Sequence, residues 1–282
     1  MGSNSAKLML ICMIYNNHRE VADFVQMLSK LSKFEDTVIT LVENSAQADP
    51  TFEESIRAYA NVVVYYPGKN LGYFGGAQFA LESYKKNQPL SEYVIISNSD
   101  INIEDQFFFE KILSLKLSND VAVIAPSIIS MLTNEDQNPG LEKRPASLKI
   151  HFLAWVSACP RLFFLYGLLN SWKCQLKGYV QNSKKFFKSS ARPIYLPFGA
   201  FIIFRKRYFD RGLNYKTGFF LYQEELFVAE ESRLAGLIIQ YEPSLRVFHA
   251  EHSVTGILPT KKKANLFHES MKFCYLKYFK GK

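Results

Sequence analysis

Cysteine is scarce in this sequence, and its spacing excludes two classes of small scaffold. The four cysteines, at positions 12, 159, 174 and 274 of 282 residues, include no pair separated by two residues and have no histidines at the spacing typical of zinc sites. Disulfide-stapled and zinc-stapled folds are therefore excluded. Reduced thiols in a cytosolic protein are expected instead.

Long uninterrupted apolar runs are missing as well. The stretch at residues 150–169 is nearly long enough to cross a membrane but contains His151, Pro160 and Arg161, which predicts an interfacial or core helix and not a span. The first six residues are polar, so no secretory signal peptide is expected at the start of the chain. Whether those six residues are native stays open.

Acidic residues are outnumbered by basic ones. The chain has 34 Lys and Arg against 26 Asp and Glu, a formal net charge of +8. This excess indicates a polyanionic partner: nucleic acid, an anionic membrane or a phosphorylated substrate. A hydrophobic share of 48% excludes disorder, and the length allows one large α/β domain or two small ones.

Short apolar runs alternate with helical patterns along the chain. Runs typical of strands occur at residues 8–14, 37–42, 62–65, 93–97, 121–125, 197–204, 238–241 and 245–248, and helices are predicted near 21–28, 77–86, 104–117 and 218–236. This alternation predicts right-handed βαβ units and a mostly parallel sheet flanked by helices.

The fourth of these runs ends in the triplet Asn98, Ser99 and Asp100. Ligands of open α/β sheets bind beyond the carboxyl ends of strands, where a carboxylate can hold a metal ion that is bound to a phosphate. The competing interpretation is a strand followed by an Asx turn or a helix cap.

Glycines cluster at residues 67–76, between the third strand and the next helix. Glycine lets the backbone approach a ligand, and the start of the helix offers unpaired N–H groups to an anion. The spacing matches neither the Walker loop nor the dinucleotide fingerprint, and a turn that only permits tight packing is the alternative.

Two segments combine aromatic and basic side chains. Residues 148–192 contain both tryptophans and several cations, and residues 257–282 alternate lysine with aromatic residues. Such segments suit the headgroup region of an anionic bilayer, and a solvated helical hairpin with a basic face is the alternative for the first.

Five short motifs follow one another in order, at residues 70–76, 97–100, 197–200, 219–225 and 249–252. The acidic pair in the fourth, Glu224 and Glu225, would taken alone be explained by the helix dipole. The ordered set resembles the family-2 inverting glycosyltransferases of the GT-A fold, above all the rhamnosyltransferase-like members that build bacterial surface polysaccharides. It implies a GT-A domain with a Rossmann-like sheet over residues 1–256, a helical, basic and aromatic insertion at 148–192, and a basic tail at 257–282.

The resemblance also implies roles for individual residues. Nucleotide-binding positions are Tyr15, Asn16, Glu43, Asn70, Gly72 and Asn98; metal-binding positions are Asp100 and His249; the catalytic base is Glu225, with Glu224 as its acidic neighbour.

The implied activity is inverting transfer from a UDP- or dTDP-sugar to a lipid-linked or polysaccharide acceptor, as in capsule or O-antigen synthesis. A carboxylate takes the proton of the acceptor hydroxyl while a divalent cation, Mg²⁺ or Mn²⁺, neutralises the departing diphosphate. A cytoplasmic protein on the inner face of the cell membrane is expected, with no nucleic acid as partner. The alternatives are a nucleotidyltransferase, which releases pyrophosphate, and a basic nucleic-acid-binding protein.

Overall fold

The computed structural model describes residues 6–47, 49–168, 190–251 and 261–281. Within them, one nine-stranded sheet carries helices on both faces. The strands are β1 Leu8–Ile14, β2 Thr37–Glu43, β3 Val62–Tyr65, β4 Tyr93–Ser97, β5 Ile101–Asn102, β6 Val121–Ser130, β7 Arg192–Ile194, β8 Phe201–Arg205 and β9 Ile238–His249. The helices are α1 His18–Leu28, α2 Pro50–Ile56, α3 Tyr73–Lys85, α4 Phe108–Ser114, α5 Ser147–Ser157, α6 Pro160–Leu168, α7 Lys206–Asp210, α8 Glu224–Leu234 and α9 Lys261–Cys274, followed by a π-helical turn at Tyr275–Phe279.

The sheet has the strand order β3-β2-β1-β4-β8-β6-β9-β5, with β7 also paired to β9. The first four strands in this order are parallel, and β6 and β9 form a second parallel pair. β8 is antiparallel to both of its neighbours, and β5 and β7 are antiparallel to β9. The predicted α/β class is confirmed, and the parallel arrangement is concentrated in the amino-terminal block of a mixed sheet.

Both faces of the central strands are buried, which explains their unbroken apolar sequences. Along β4, Val94 and Ile96 pack into one core cluster, and Tyr93 and Ile95 pack into the other. Successive side chains of a strand point to opposite faces, so a strand covered on both sides needs apolar residues at every position. The first cluster lies beneath α3, α5, α8 and α9, and the second beneath α1, α2 and α4.

Several distant segments meet at one edge of this sheet. β1, β2 and β4 are parallel and in register, so their carboxyl ends lie together. β8 runs the other way and pairs Phe201 with Ser97, which brings the residues before β8 to the same edge. The end of β9 arrives there too, because His249 pairs with Ile101 of β5.

The carboxy-terminal part of the sheet differs from the sequence-based prediction. Two short strands are predicted at residues 238–241 and 245–248, but the structure has the single strand β9. The polar segment from Glu242 to Ser244 resembles a turn in sequence. It is instead absorbed by a register shift opposite β6, where Pro126 pairs with Glu242 and Ser127 pairs with Arg246.

Several predicted element boundaries are wrong by a few residues: α8 begins at residue 224 and not at 218, and β6 ends at residue 130 and not at 125. α3 begins at Tyr73 and not at residue 77, so the last glycines of the glycine-rich segment lie inside the helix, where a Cβ on Gly76 would sit 3.2 Å from Met13. α4 begins at residue 108 and not at 104, because the Asp105 side chain accepts a hydrogen bond from the Phe107 N–H in a turn. β8 begins at residue 201 and not at 197.

Two predicted segments lie partly outside the described residues. Helices α5 and α6 belong to the predicted insertion at 148–192, whose residues 169–189 are not described. Helix α9 of the predicted tail packs into the first core cluster through Met271 and Cys274, followed by Tyr278 and Phe279 of the π-helical turn. No single described helix meets the length and hydropathy of a membrane span, although α5 and α6, bent by 119°, meet them together.

Candidate active site

Asp100 and His249 are in contact at the sheet edge. Nε2 of His249 lies 3.3 Å from Oδ2 of Asp100, and the two side chains are 9% and 8% exposed. The short strand β5 starts directly after Asp100 and pairs with the end of β9, which explains why residues so far apart in sequence meet. The structure thus brings together the two positions that the sequence assigns to a metal ion.

A chain of hydrogen bonds fixes the orientation of the His249 ring. Nδ1 of His249 lies 2.8 Å from Oε1 of Gln137, and Nε2 of Gln137 donates to Glu251 at 3.1 Å. Ser130 donates to the same oxygen of Glu251. Since a carboxylate only accepts, the Gln137 carbonyl faces His249, so Nδ1 of His249 carries the hydrogen. The other ring nitrogen, Nε2, faces Asp100.

This pair has the donor chemistry of a divalent metal site. A neutral imidazole nitrogen and a carboxylate oxygen that face each other are satisfied by a proton or a cation between them. The second oxygen of Asp100, Oδ1, is buried and has no hydrogen-bond partner within the described residues. No group of three or more His, Cys, Asp or Glu suited to a metal occurs among the described residues, so a cation here would need oxygen ligands from a bound substrate.

The acidic pair follows two strained residues at the start of α8. Tyr222 and Gln223 have φ values of 70° and 64°, in the left-handed region that residues other than glycine rarely occupy. Each such residue costs on the order of 1–3 kcal/mol and persists where surrounding contacts enforce it. One such contact is the Phe220 carbonyl, which lies against Gly72 so closely that a Cβ there would be 2.1 Å away. These contacts hold Glu224 and Glu225 in the first turn of the helix.

The two carboxyl groups have different surroundings. Burial, and then the charge of Glu225, raise the pKa of Glu224 to about 8, and its Oε1 is buried without a hydrogen-bond partner in the described structure. Burial also raises the pKa of Glu225, but the N–H groups of Glu225 itself and of Gly199 favour its ionised form. The carboxylate of Glu225 lies directly against Gly199, where any Cβ would be 2.0 Å from Oε1.

Tyr73, the first residue of α3, contacts the segment that holds Glu225. Its hydroxyl donates to the Gly199 carbonyl at 3.1 Å. Burial raises its pKa well above the usual value, and the charges of Cys12, then Glu225, Glu224 and Asp100, add to this effect. Since the Gly199 N–H favours the ionised form of Glu225, Tyr73 and Glu225 are held by the same residue.

The predicted nucleotide-binding residues at the ends of β1 and β2 are held together by Ser45. Its Oγ accepts from the Asn16 N–H at 2.8 Å, and its own N–H donates to Glu43 Oε1 at 2.9 Å. The other Glu43 oxygen lies 2.7 Å from Nε2 of His18, so the carboxylate is fixed from both sides. Tyr15 is 45% exposed beside them.

The glycine-rich segment is attached to the same edge by Asn44. The Asn44 side chain accepts from the Leu71 N–H at 3.1 Å and donates to the Gly72 carbonyl at 3.0 Å. Asn70 accepts from the Gly72 N–H at 2.8 Å. The backbone of this segment is therefore held by two asparagine side chains, and Gly72, with φ of 75°, adopts a conformation that favours glycine.

The segment after β4 is attached on two sides. The N–H of Asn98 donates to the Ala200 carbonyl at 2.9 Å, next to Gly199. Ser99 accepts from Asn17 at 2.8 Å and donates to Glu20 of α1. All the predicted site residues therefore lie along the same edge of the sheet. His252, in the last sequence motif, lies outside the described residues.

Several site residues are not identified by the sequence reasoning. Tyr73 lies within a recognised motif, but its chemistry is visible only when β8 brings Gly199 to it. Asn44 directly follows the strand that ends at Glu43, and this strand-end position could have identified it as a site residue. Gln137 lies in the polar stretch after β6, and no local pattern marks it as the partner of His249.

Comparison with known proteins defines the class of fold. No protein-family model and no curated protein matches the sequence. The mannosyltransferase PcManGT from Pyrobaculum calidifontis, solved with GDP-Man and Mn²⁺, is 11% identical with a TM-score of 0.52, covering 90% of this chain and 59% of its own. GalNAc-T7, solved with UDP, GalNAc and Mn²⁺, is 12% identical with a TM-score of 0.60, covering 96% and 49%. S. aureus TarS 1–349 with UDP is 13% identical with a TM-score of 0.53, covering 86% and 60%.

These similarities show that the chain has a GT-A-type glycosyltransferase fold. The chain spans between 49% and 60% of the length of these three structures. At such low sequence identity the similarity concerns the fold, and the activity has to be argued from the site itself.

Proposed function

We propose that this chain is a family-2 inverting glycosyltransferase that moves a sugar from a UDP- or dTDP-sugar to a lipid-linked or polysaccharide acceptor of a bacterial surface glycan such as capsule or O-antigen. One observation carries the proposal. The Asp100–His249 pair lies at the sheet edge where the Asn98 N–H donates to the Ala200 carbonyl, and Gly199, next to Ala200, lies against Glu225 of the Glu224–Glu225 pair. A cation-binding pair and a carboxylate base are the two groups that this reaction requires from the protein.

Asp100 and His249 are the residues that would hold Mg²⁺ or Mn²⁺. When bound, the cation would neutralise charge on the departing nucleoside diphosphate. Mn²⁺ is present in the structures of PcManGT and GalNAc-T7, which supports a divalent cation in a protein of the same fold. Tyr15, Asn16, Glu43, Asn70, Gly72 and Asn98 are the proposed nucleotide-binding residues, and UDP is the nucleotide in the TarS complex.

Glu225 is the proposed general base. The N–H groups that favour its ionised form leave it able to accept the proton of the acceptor hydroxyl. Glu224, whose pKa is about 8, is largely protonated near neutral pH, so it suits donation of a hydrogen bond and not proton abstraction. We therefore assign Glu224 an orienting role towards the acceptor.

The test is a thermal-shift screen of UDP-, dTDP- and GDP-sugars with and without Mn²⁺, since a ligand that binds only the folded state raises its stability. We expect one donor to raise Tm in a Mn²⁺-dependent way and turnover to release a nucleoside diphosphate. The Mn²⁺-dependent part should disappear in Asp100→Asn and persist in the exposed control Asp36→Asn. Release of pyrophosphate would indicate a nucleotidyltransferase, and an undiminished Mn²⁺ effect in Asp100→Asn would refute the metal assignment.

A further inference from the structure

Helices α5 and α6 present a continuous apolar surface. On α5, Leu148, Phe152 and Trp155 recur at helical spacing and are 81%, 49% and 62% exposed. On α6, Phe164, Leu165 and Leu168 are exposed as well. The Phe152 ring lies 6.3 Å from that of Trp155 on its own helix. It also lies 6.1 Å from that of Tyr166 on α6, so the two exposed faces are contiguous. We call these six exposed side chains the α5–α6 surface.

The opposite face of α5 packs against the rest of the protein, so α5 is held in place without the α5–α6 surface. Ile150 and Ala154 are buried in the first core cluster, and the His151 ring stacks on Tyr275 at 4.7 Å. Contiguous exposed apolar patches are uncommon on monomeric proteins and mark interaction sites. The exposed side chains of the α5–α6 surface are therefore not needed for packing and need a different explanation.

The charge around this surface identifies the kind of partner. Between Glu142 and Asp210 the sequence contains no acidic residue at all. In the described part of this stretch, the cations Lys149 and Arg161 are exposed on the same two helices as the apolar side chains. Exposed cations on the same helices as exposed leucine and aromatic side chains suit an anionic bilayer, because the cations meet headgroups while the apolar side chains enter the acyl boundary. Nucleic acid would match the positive charge, but it has no apolar region that would bury the exposed leucines.

The α5–α6 surface is also close to the acidic pair. The ring of Phe267 on α9 lies 4.8 Å from that of Phe163 on α6 and 6.4 Å from that of Tyr222, two residues before Glu224. One side chain thus separates α6 from the strained segment that positions the base candidates. A membrane at this surface would therefore lie near the segment that leads into the acidic pair.

We propose that the α5–α6 surface docks the protein on an anionic lipid bilayer. The docking itself does not depend on the proposed function. Its consequence, presentation of a lipid-linked acceptor to Glu225, does rest on that function.

The test uses the full chain with Trp172→Phe, which leaves Trp155 as the only tryptophan. Vesicles containing phosphatidylglycerol should bind the protein, shift Trp155 emission to the blue and allow brominated lipid to quench it. Salt should release the protein, because screening shortens the reach of the charges. Neutral vesicles should bind at least about tenfold more weakly.

Two variants separate this surface from the rest of the protein. Leu148→Ser/Phe152→Ser/Leu165→Ser should lower vesicle affinity by at least about tenfold. The matched control Met131→Ser/Leu132→Ser, which removes apolar residues that are 60% and 72% exposed elsewhere, should leave the affinity unchanged. Circular dichroism checks folding, and donor binding in vesicle-free solution should be the same in both variants, so a failure of docking is distinguishable from a failure of the proposed function.

Several outcomes would overturn the proposal. Unchanged vesicle binding in the triple variant, or binding without quenching of Trp155, would place the lipid contact elsewhere. Binding to nucleic acid but not to vesicles would assign the surface to nucleic acid. Self-association that the triple variant abolishes, without vesicle binding, would assign it to a second copy of the chain.

Discussion

At the scale of single residues, the site shows how identical groups acquire different chemistry. Glu224 and Glu225 are adjacent, yet only Glu225 lies against the Gly199 amide, and Glu224 has a buried oxygen without a partner in the described residues. Adjacent helical residues point about 100° apart, which sends the two carboxyl groups into these separate surroundings. Both residues lie in the first turn of α8, so the difference comes from the directions of their side chains and from Gly199, which precedes β8.

The first prediction concerns the base. Glu225→Gln should lower the transfer rate by about 10²–10⁴ and leave donor affinity largely intact, because the base acts on the acceptor hydroxyl. The matched variant Glu224→Gln keeps a hydrogen-bond donor and should lose less. In the wild type, the rate should fall on the acid side at a pH above 4.5, since the base must be ionised and its pKa is raised from that value. Collapse of transfer in Glu224→Gln alone would move the base by one residue.

The second prediction concerns stability. A folded-state pKa of about 8 against 4.5 unfolded means that the folded protein favours neutral Glu224, so stability is lost as pH rises from 4.5 through about 8. Glu224→Gln has no charge to bury and should be more stable than the wild type above this range, by a few kcal/mol. Urea unfolding at several pH values measures the difference. A stability difference between Glu224→Gln and the wild type that does not shrink as pH falls towards 4.5 would contradict this dependence on the pKa of Glu224.

The third prediction concerns the orientation of His249. Gln137→Leu removes the carbonyl that accepts from Nδ1 of His249, so the ring loses its single tautomer and Mn²⁺ affinity should fall by about 10–100-fold. ¹⁵N chemical shifts of the ring report the tautomer directly, and Mn²⁺ binding is measured by electron paramagnetic resonance. Gln240→Leu on β9 is the control, because its side chain donates to Glu242 instead. Unchanged ¹⁵N shifts in Gln137→Leu would refute the positioning role.

At the scale of elements, the edge of the sheet is a meeting point of strand ends, and only part of it is readable from sequence. β1, β2 and β4 are continuous apolar runs that end in polar residues, so the strands themselves and the position of Asp100 at a strand end are predictable. The direction of β8 is not, because a buried run has no feature that distinguishes parallel from antiparallel pairing. The joining of residues 238–249 into one strand also depends on pairing with β6, which no local pattern encodes.

The fourth prediction concerns the contact between the glycine-rich segment and the segment before α8. Gly72→Ala introduces a Cβ that would lie 2.1 Å from the Phe220 carbonyl, so one of the two segments must move. Gly68→Ala is the control, because φ is 76° there against 75° at Gly72 but no atom lies within 4 Å. Gly68→Ala loses about 1 kcal/mol to its positive φ. At Gly72 ψ is −168°, a conformation essentially restricted to glycine, so Gly72→Ala adds a larger backbone strain to the clash. We expect Gly72→Ala to lose substantially more stability and more donor binding than Gly68→Ala, both measured by thermal shift. Equal effects of the two substitutions would contradict the contact between Gly72 and the Phe220 carbonyl.

At the scale of the whole molecule, one buried carboxylate ties together four separate parts of the chain. Glu230 on α8 is fully buried and is bonded by Arg144, Arg233 and Tyr195. Arg144 also donates to the Tyr278 carbonyl of the π-helical turn. The segment before α5, the end of β7, helix α8 and the carboxy-terminal turn thus share one ionic network.

The fifth prediction concerns this network. Glu230→Gln leaves two arginines without a charged partner and should lower the free energy of unfolding by about 2 kcal/mol or more. Its pKa is lowered by the hydrogen bonds from Arg144 and Arg233 despite burial, so the stabilisation is present above pH 4.5 and is lost as pH falls through the lowered value. Glu82→Gln, which breaks an exposed pair with Lys216, should cost less than about 1 kcal/mol. Equal losses of unfolding free energy in Glu230→Gln and Glu82→Gln, measured by urea unfolding, would contradict the role of this network.

The antiparallel strand β8 has a consequence for synthesis of the chain on the ribosome. In the sheet, β8 (residues 201–205) lies between β4 and β6, which both precede it in the sequence. Both strands therefore leave the ribosome before β8, and each has an unpaired edge until β8 is made. Exposed edges of buried strands are templates for wrong pairing. A nascent chain that stops before residue 201 lacks both β8 and α8. The centre of the sheet and the candidate catalytic residues are therefore both completed late in synthesis, and such a truncated chain has neither.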